Sequence, residues 1–443
     1  MAVPATEAHV HHLLTRAAWI ATDTDVETAM SEGIESTVAR VLDAPAPEAG
    51  TPPRFNAGDE EIIYAPEVIV QWFLELCTTS SAPALERLTW FWHGHFATHV
   101  EKVEFPSLML DQLKELRAHA LGDFAQMVLA MTFDPAMTIW LDLETNVVGQ
   151  PNENYARELL ELFTMGIDNG YTQRDIVEVA RAMTGVGLGW PERDEGLPTG
   201  EFHGNTHDKK PKTILGSTAN HGPESAIEVI VRRPETAEFV VRRLWYRYAG
   251  TVITAAASAD MVAAFGPQLS IREAVGTMLT HPDFYDDTVR GGLVAAPVES
   301  IVRAYRGFGL PVRVTCGDDE ECDVDTIVEL AEIIGQQPIH PPHVGGWPHN
   351  EAWLDLTGSQ RRVIAGRVLA ERLLEDPTPA AERVINARTN LQLHDGLAAG
   401  FGVRRWSDQT AAALDDTARI ASTEQRITAA VAVAFTSPEV TLS

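Results

Sequence analysis

Cysteine, basic residues and long apolar runs are scarce in this chain, and each shortage removes a class of protein. Only 3 cysteines occur in 443 residues. Cys77 lies far in sequence from Cys316 and Cys322, so neither a disulfide framework nor a repeated Cys-x-x-Cys metal knuckle can be drawn. Cys316 and Cys322 can bridge within their acidic loop, but the fold does not require it. Lys and Arg number 34 against 63 Asp and Glu, a formal charge of −29. That field repels phosphate backbones and anionic lipid heads, so nucleic acid and acidic membrane are not expected partners. No stretch approaches the ~18 apolar residues of a membrane span, and the first residues carry neither the basic region nor the apolar run of an export signal. The expectation is no membrane insertion, and a cytoplasmic location as given, or a mature form whose export signal has been removed.

What is present is ordinary for a chain that folds in water. Hydrophobic residues make up 45% and charged residues 22%, which excludes a disordered or collagen-like chain. The length is several times the usual ~100–150 residue domain, enough to bury a large core without staples. Helical periodicity dominates. After Thr172, apolar Ile176, Val179, Ala180 and Met183 mark one helix face, with Asp175 placed to close a capping box. Similar patterns cover roughly 8–18, 24–42, 60–78, 83–99, 107–131, 152–165, 224–248, 271–281, 297–307, 324–335, 359–375 and 424–436, whereas strand alternation is scarce and short. The fold class is mainly α, read as one large multi-helix domain over residues 1–443 with long ordered loops and little or no sheet. Two segments break the pattern. Residues 186–222 are rich in glycine and contain Lys209, Lys210 and Lys212, which predicts a long loop laid over the helices. Residues 338–352 hold too much proline and glycine for helix or strand and form a rigid turn around Trp347.

Three segments carry groups with chemical potential. In Trp90-Phe91-Trp92-His93-Gly94-His95-Phe96, followed by His99, Ser81 can cap a helix with Pro83 in its first turn. Apolar residues then surround the axis, so the helix is expected to be buried. At ~100° per residue His93 and His95 point about 200° apart and share one ion only if the helix breaks at Gly94, whereas His95 and His99 can share one. The same imidazoles read equally as core groups bonded to carbonyls or carboxylates. In the second segment, from Pro151 to Gly166, a helix capped by Asn152 gathers Asn154, Arg157, Glu158 and Glu161 on one face. Glu158 and Glu161 can ligate metal, or one can act as general base. The competing reading pairs Arg157 with Glu153 and Glu161 at i±4 on a solvated face. The third segment, Phe202 to Gly216 with His221 behind it, offers His203, His207 and Asp208 to a site begun on the helices, with Lys212 holding an anionic group. A plain polar loop fits it as well. No phosphate loop, dinucleotide fingerprint, nucleophile elbow or His-Glu-x-x-His helix occurs. Trp72, Phe73, Trp245 and Tyr246 are most simply core.

The chain resembles a large, mostly bacterial family known as domain of unknown function 1800. The resemblance runs nearly end to end, through His12-Leu-Leu-x-Arg16, Trp90 to Phe96, Arg117 to Phe124, Pro135 to Met137, and Asn152 to Glu158. It continues through Gly170 to Asp175, Arg181-x-x-Thr184-Gly185, His207-Asp208 with Lys212 and Gly216, His281-Pro282, and Pro341 to Pro348. It implies no established activity. It does imply a family whose members are often exported and paired with a sulfatase-like partner protein. Ala18-Trp19-Ile20 and Phe163 depart from the family's usual Gly-Phe-Gly and His, and His99 is outside its pattern.

Together these residues predict an enzyme whose site gathers the three segments. His93, His95, Glu158 and His207 would ligate a transition metal, with iron, zinc, manganese or copper all suited to imidazole and carboxylate. Glu158, Arg157 and Lys212 would be the catalytic groups, acting on a small-molecule or peptide-like substrate, with oxidative chemistry favoured over hydrolysis because no nucleophile is evident. Two alternatives stand beside it: a metal-free hydrolase or lyase using His and Glu as acid and base, and a non-catalytic helical binding partner of an envelope protein, in which these motifs stitch the core together through buried hydrogen bonds.

Overall fold

The structure is a computed structural model, and it describes residues 3–50, 65–191, 196–313, 315–316 and 322–442. Helices dominate, from Glu7–Ala18 to Pro438–Thr441, and the described strands form three two-stranded antiparallel pairs. The mainly α expectation stands. Among the described residues no helix is long and apolar enough to cross a membrane.

Two apolar clusters form the interior. One holds Leu13, Trp92, Phe96, Phe124, Phe163 and Trp245. The other holds Phe73, Trp90, Trp347, Phe401 and Phe435. The Pro83–His95 helix contributes Trp92 to the first and Trp90 to the second, which is why apolar residues run all round its axis. Full burial of each such ring contributes roughly 1.5–3 kcal/mol. Its start differs from expectation. Ala82 is the N-cap, and Ser80, not Ser81, provides the hydroxyl, accepting from Ala82 N at 3.1 Å and donating to Glu86 at 2.8 Å.

Several continuous patterns are pairs of helices. The 24–42 span divides into Asp23–Glu32 and Ile34–Leu42 at Gly33, whose φ of +86° no ordinary side chain adopts cheaply. The 107–131 span divides before Asp123, which caps Phe124–Thr132. The 224–248 span divides at Pro234, whose ring forces Arg233 into extended backbone. Helices Ala255–Phe265, Asn390–Phe401 and Asp408–Thr417 fall outside the periodic spans. Each buries a narrow stripe, such as Ala257, Met261 and Phe265, too thin to stand out by periodicity.

The 186–222 segment is more ordered than a loop. Val186–Gly189 pairs with Thr199–Phe202, and Lys212–Ile214 with Ser217–Ala219. Strands of three or four residues show too little alternation to be read from sequence. Thr315–Cys316 pairs with Cys322–Asp323 through the backbone, but the Cys316 and Cys322 side chains, and so the bridge left open between them, lie outside the described residues.

Candidate functional site

The three segments singled out by sequence do not converge on one point. His93 is buried against Trp90 and Trp347, and its Nε2 accepts the Ile339 N–H at 2.9 Å. Ile339 sits at φ +59°, a left-handed conformation costly for a β-branched residue. Beside it, a Cβ on Gly346 would lie 2.2 Å from Gly94 O, and one on Gly94 would meet the Trp347 ring at 3.6 Å. His93, Gly94 and Trp90 therefore hold the 338–352 turn against the helix. His95 points to the other core and donates from Nε2 to Phe163 O at 2.9 Å, taking up a carbonyl near the end of the Asn152–Gly166 segment. Burial pushes both histidines down to about 3, so both rings are neutral near pH 7. Their Nδ1 atoms are buried without a partner among the described residues. His99 is elsewhere again, accepting from Glu101 N and stacked on Trp140.

The Asn152–Gly166 segment is not one regular helix. Asn154–Glu158 is α, and Leu159–Thr164 widens to a π-turn, with Met165 N and Gly166 N both donating to Leu160 O. Asn152 accepts from Asn154 N but is not the N-cap, which is Glu153. Arg157 bonds Glu153 at 2.9 Å and Glu161 at 3.2 Å on a partly exposed face, as the solvated-face reading expects. Glu158, half-buried, has no hydrogen bond or ion pair among the described residues, and burial together with Glu161 raises its pKa.

The 202–221 stretch is tied to the Gln173–Ala182 helix. His207 Nδ1 lies 2.8 Å from Thr184 O, and Asp208 accepts from Arg181 at 2.8 Å. Lys212 is buried with its Nζ donating to the carbonyls of Asp208, Lys210 and His221. This ammonium is taken up by backbone, and it does not reach outward to hold an anion. His203 bonds Leu188 O across the first strand pair.

His93, His95, Glu158 and His207 thus occupy separate surroundings, and no cluster of three or more His, Cys, Asp or Glu able to hold a metal ion occurs among the described residues. A transition metal needs at least three convergent donors. The donor set as placed does not fit one, because His93 and His95 pack into different cores and neither is joined by two further donors among the described residues.

The π-turn does, however, border a cleft. Gly166 (φ +93°) brings the chain onto the Pro234–Ala249 helix so closely that a Cβ there would lie 2.8 Å from Phe239. The turn that follows and this helix enclose about 590 Å³, lined by Ile167, Asp168, Phe239, Arg243, Tyr246 and Val252 among others. Arg243 is half-buried, stacks 5.8 Å over Phe239, and has no hydrogen bond or ion pair among the described residues. Desolvation lowers its pKa. Tyr246, which reads as core from its sequence, is only partly buried here. Sequence reasoning passed over this face. The available signal was Phe239, Arg243 and Tyr246 at i, i+4 and i+7, beside the buried stripe of Val240, Val241, Leu244 and Trp245.

A family model described as Protein of unknown function (DUF1800) matches residues 12–442. No curated protein and no solved structure matches the chain.

Proposed function

We propose, from the premise that the chain belongs to the DUF1800 family, that it binds a small amphipathic anion, a carboxylate or similar head on an apolar body, in the cleft between the 166–169 turn and the Pro234–Ala249 helix. The observation that carries this is Arg243, a partly desolvated guanidinium with no hydrogen bond or ion pair among the described residues, in a cleft of about 590 Å³. That volume falls in the range of small-molecule sites, and the lining has their usual composition of apolar and aromatic walls with a few polar groups. Phe239, Tyr246, Ile167 and Val252 would cover the apolar body, while the planar guanidinium would take the head in a bidentate pair. The adjoining π-turn supports the reading, since such turns recur at functional sites.

The test is calorimetric titration of the full chain with phenylacetate and octanoate at pH 7. Saturable binding to the wild type, lost in Arg243→Gln and kept in Arg157→Ala, is the expected pattern. No binding of either probe, or equal binding by Arg243→Gln, overturns it.

A second reading makes the chain a metal-free acid–base catalyst, with Glu158 as the titrating group. Its support is a half-buried carboxyl with a raised pKa and no hydrogen bond or ion pair among the described residues. It predicts turnover that survives chelators and disappears in Glu158→Gln while the fold is kept.

A further inference from the structure

A cluster of positive charge in this acidic chain lies inside it. Arg16 from Glu7–Ala18, Arg87 from Pro83–His95 and Arg247 from Pro234–Ala249 are buried around a single carboxylate, Glu299, and Arg303 is buried one turn further along Glu299's own helix, Pro297–Phe308. Glu299 meets Arg247 at 2.5 Å and Arg87 at 3.2 Å. Burial pulls its pKa up, but Arg247, Arg87 and Arg16 outweigh this and hold it below the usual range. Two guanidinium groups share that one carboxylate, and Arg303 is buried within reach of Arg87, which leaves an excess of positive charge where desolvation makes it expensive. Arg87 finds partial relief over the Trp19 ring, 4.9 Å away, and Arg16 donates to Val289 O at 3.2 Å.

Arg303 is different. It is 4% exposed and donates once, from Nη2 to Gly402 O at 2.9 Å, while its Nε and Nη1 have no hydrogen-bond partner among the described residues. It also lines a cavity of about 210 Å³ with His11, His12, Arg290, Arg404 and Glu439. His11 lies against Gly402 O at 2.8 Å, and burial with Arg303 beside it lowers its pKa to about 4. Arg404 stands exposed, and Arg290 bonds Tyr285 O and Asp287. The one carboxylate in the described lining, Glu439, accepts from Ser407 N at 2.7 Å and Thr410 Oγ1 at 2.9 Å. Three arginines thus face one carboxylate that is already bonded elsewhere.

We propose that this cavity is a binding site for a small oxyanion, such as a phosphate or a short carboxylate, held by the Arg303 guanidinium in its wall and by Arg404. A planar fork of N–H groups matches either oxyanion, and the anion would offset the surplus charge that Glu299 leaves. The site is separate from the Arg243 cleft, and its test uses different residues and probes.

The experiment is calorimetric titration and thermal melting of the full chain at pH 7 with inorganic phosphate, sulfate and acetate, against chloride at matched ionic strength. Saturable binding of phosphate or acetate with a raised melting temperature is expected. Phosphate and sulfate binding without acetate assigns the tetrahedral anions, and the reverse assigns a carboxylate. Arg404→Ala, an exposed change that leaves the core intact, should weaken binding about tenfold. Arg303→Met should abolish it, and this variant should remain folded because it removes a buried charge. Absence of binding by all three anions, or unchanged affinity in both variants, overturns the proposal.

Discussion

Replacing His95 by glutamine separates a histidine held neutral by packing from one that titrates. The native ring donates to Phe163 O and is surrounded by Phe91, Trp92, Phe96 and Phe163, with Arg243 the charged group nearest in effect. Burial holds its pKa at about 3 against 6.5 in the unfolded chain. Stability from the neutral ring is therefore fully present above pH 6.5 and is lost as pH falls toward 3, because only the unfolded chain takes up the proton. At 1.36 kcal/mol per unit, the loss by pH 5 is about 2 kcal/mol. Glutamine can still donate to Phe163 O but does not titrate. The variant should be less stable than wild type at pH 7, through lost ring packing, and that gap should narrow by about 2 kcal/mol at pH 5. Urea unfolding followed by circular dichroism at both pH values measures it. The difference between the two proteins is the correct quantity, since Asp134, whose carboxyl burial raises to about 7, pushes the total stability the other way on acidification. A gap that stays constant from pH 7 to 5 would refute the claim that His95 is a buried neutral core group.

Lys212→Met leaves the carbonyls of Asp208, Lys210 and His221 without their shared donor. At about 1–3 kcal/mol for a buried group left unpaired, unfolding should shift by at least about 2 kcal/mol, and limited proteolysis should cut the 203–221 stretch sooner. No change in either would mean that this lysine faces solvent or a ligand. Gly166→Ala should destabilise the chain by about 1 kcal/mol or more, from the positive φ and the 2.8 Å approach to Phe239. It should also weaken phenylacetate binding by displacing that ring, and a variant with wild-type melting and affinity would argue against so close an approach of the turn to the helix.

Local signals in the sequence survived where local physics decides. The capping box of Thr172 and Asp175 forms as read, because both partners lie within one turn. The burial of the Pro83–His95 helix was legible because its apolar residues leave no polar face. The alternatives left open at Arg157 and at the core histidines could not be separated by periodicity. An i±4 carboxylate is present under either reading of Arg157, and the Phe163 and Ile339 carbonyl and amide that engage the histidines lie 68 and 246 residues away. A motif such as Trp90 to Phe96 concentrates histidine and aromatics in the manner of a catalytic centre. The structure gives those residues a shared mechanical task, with one histidine holding the 338–352 turn and the other closing the π-turn.

The buried arginines show the opposite case. Arg16, Arg87, Arg247 and Arg303 are spread over most of the chain, and each alone reads as a charge on the margin of an amphipathic helix. Nothing local marks them, since the excess appears only when three other helices pack their margins against the one that carries Glu299 and Arg303. Total charge misleads in the same way. A chain of net −29 repels anions at long range, yet within a Debye length of roughly 8–10 Å the nearby groups set the potential. An acidic exterior around an arginine-rich interior slows the approach of an anion while strengthening its hold after entry. Anion affinity at the Arg303 cavity should therefore fall less steeply with added salt than it would at an exposed basic patch, because screening weakens the external repulsion along with the attraction. Titrating phosphate at roughly 50 and 300 mM chloride, a range over which the Debye length shortens from about 14 to about 6 Å, measures this, and a steep loss of affinity with salt would place the bound anion on the surface.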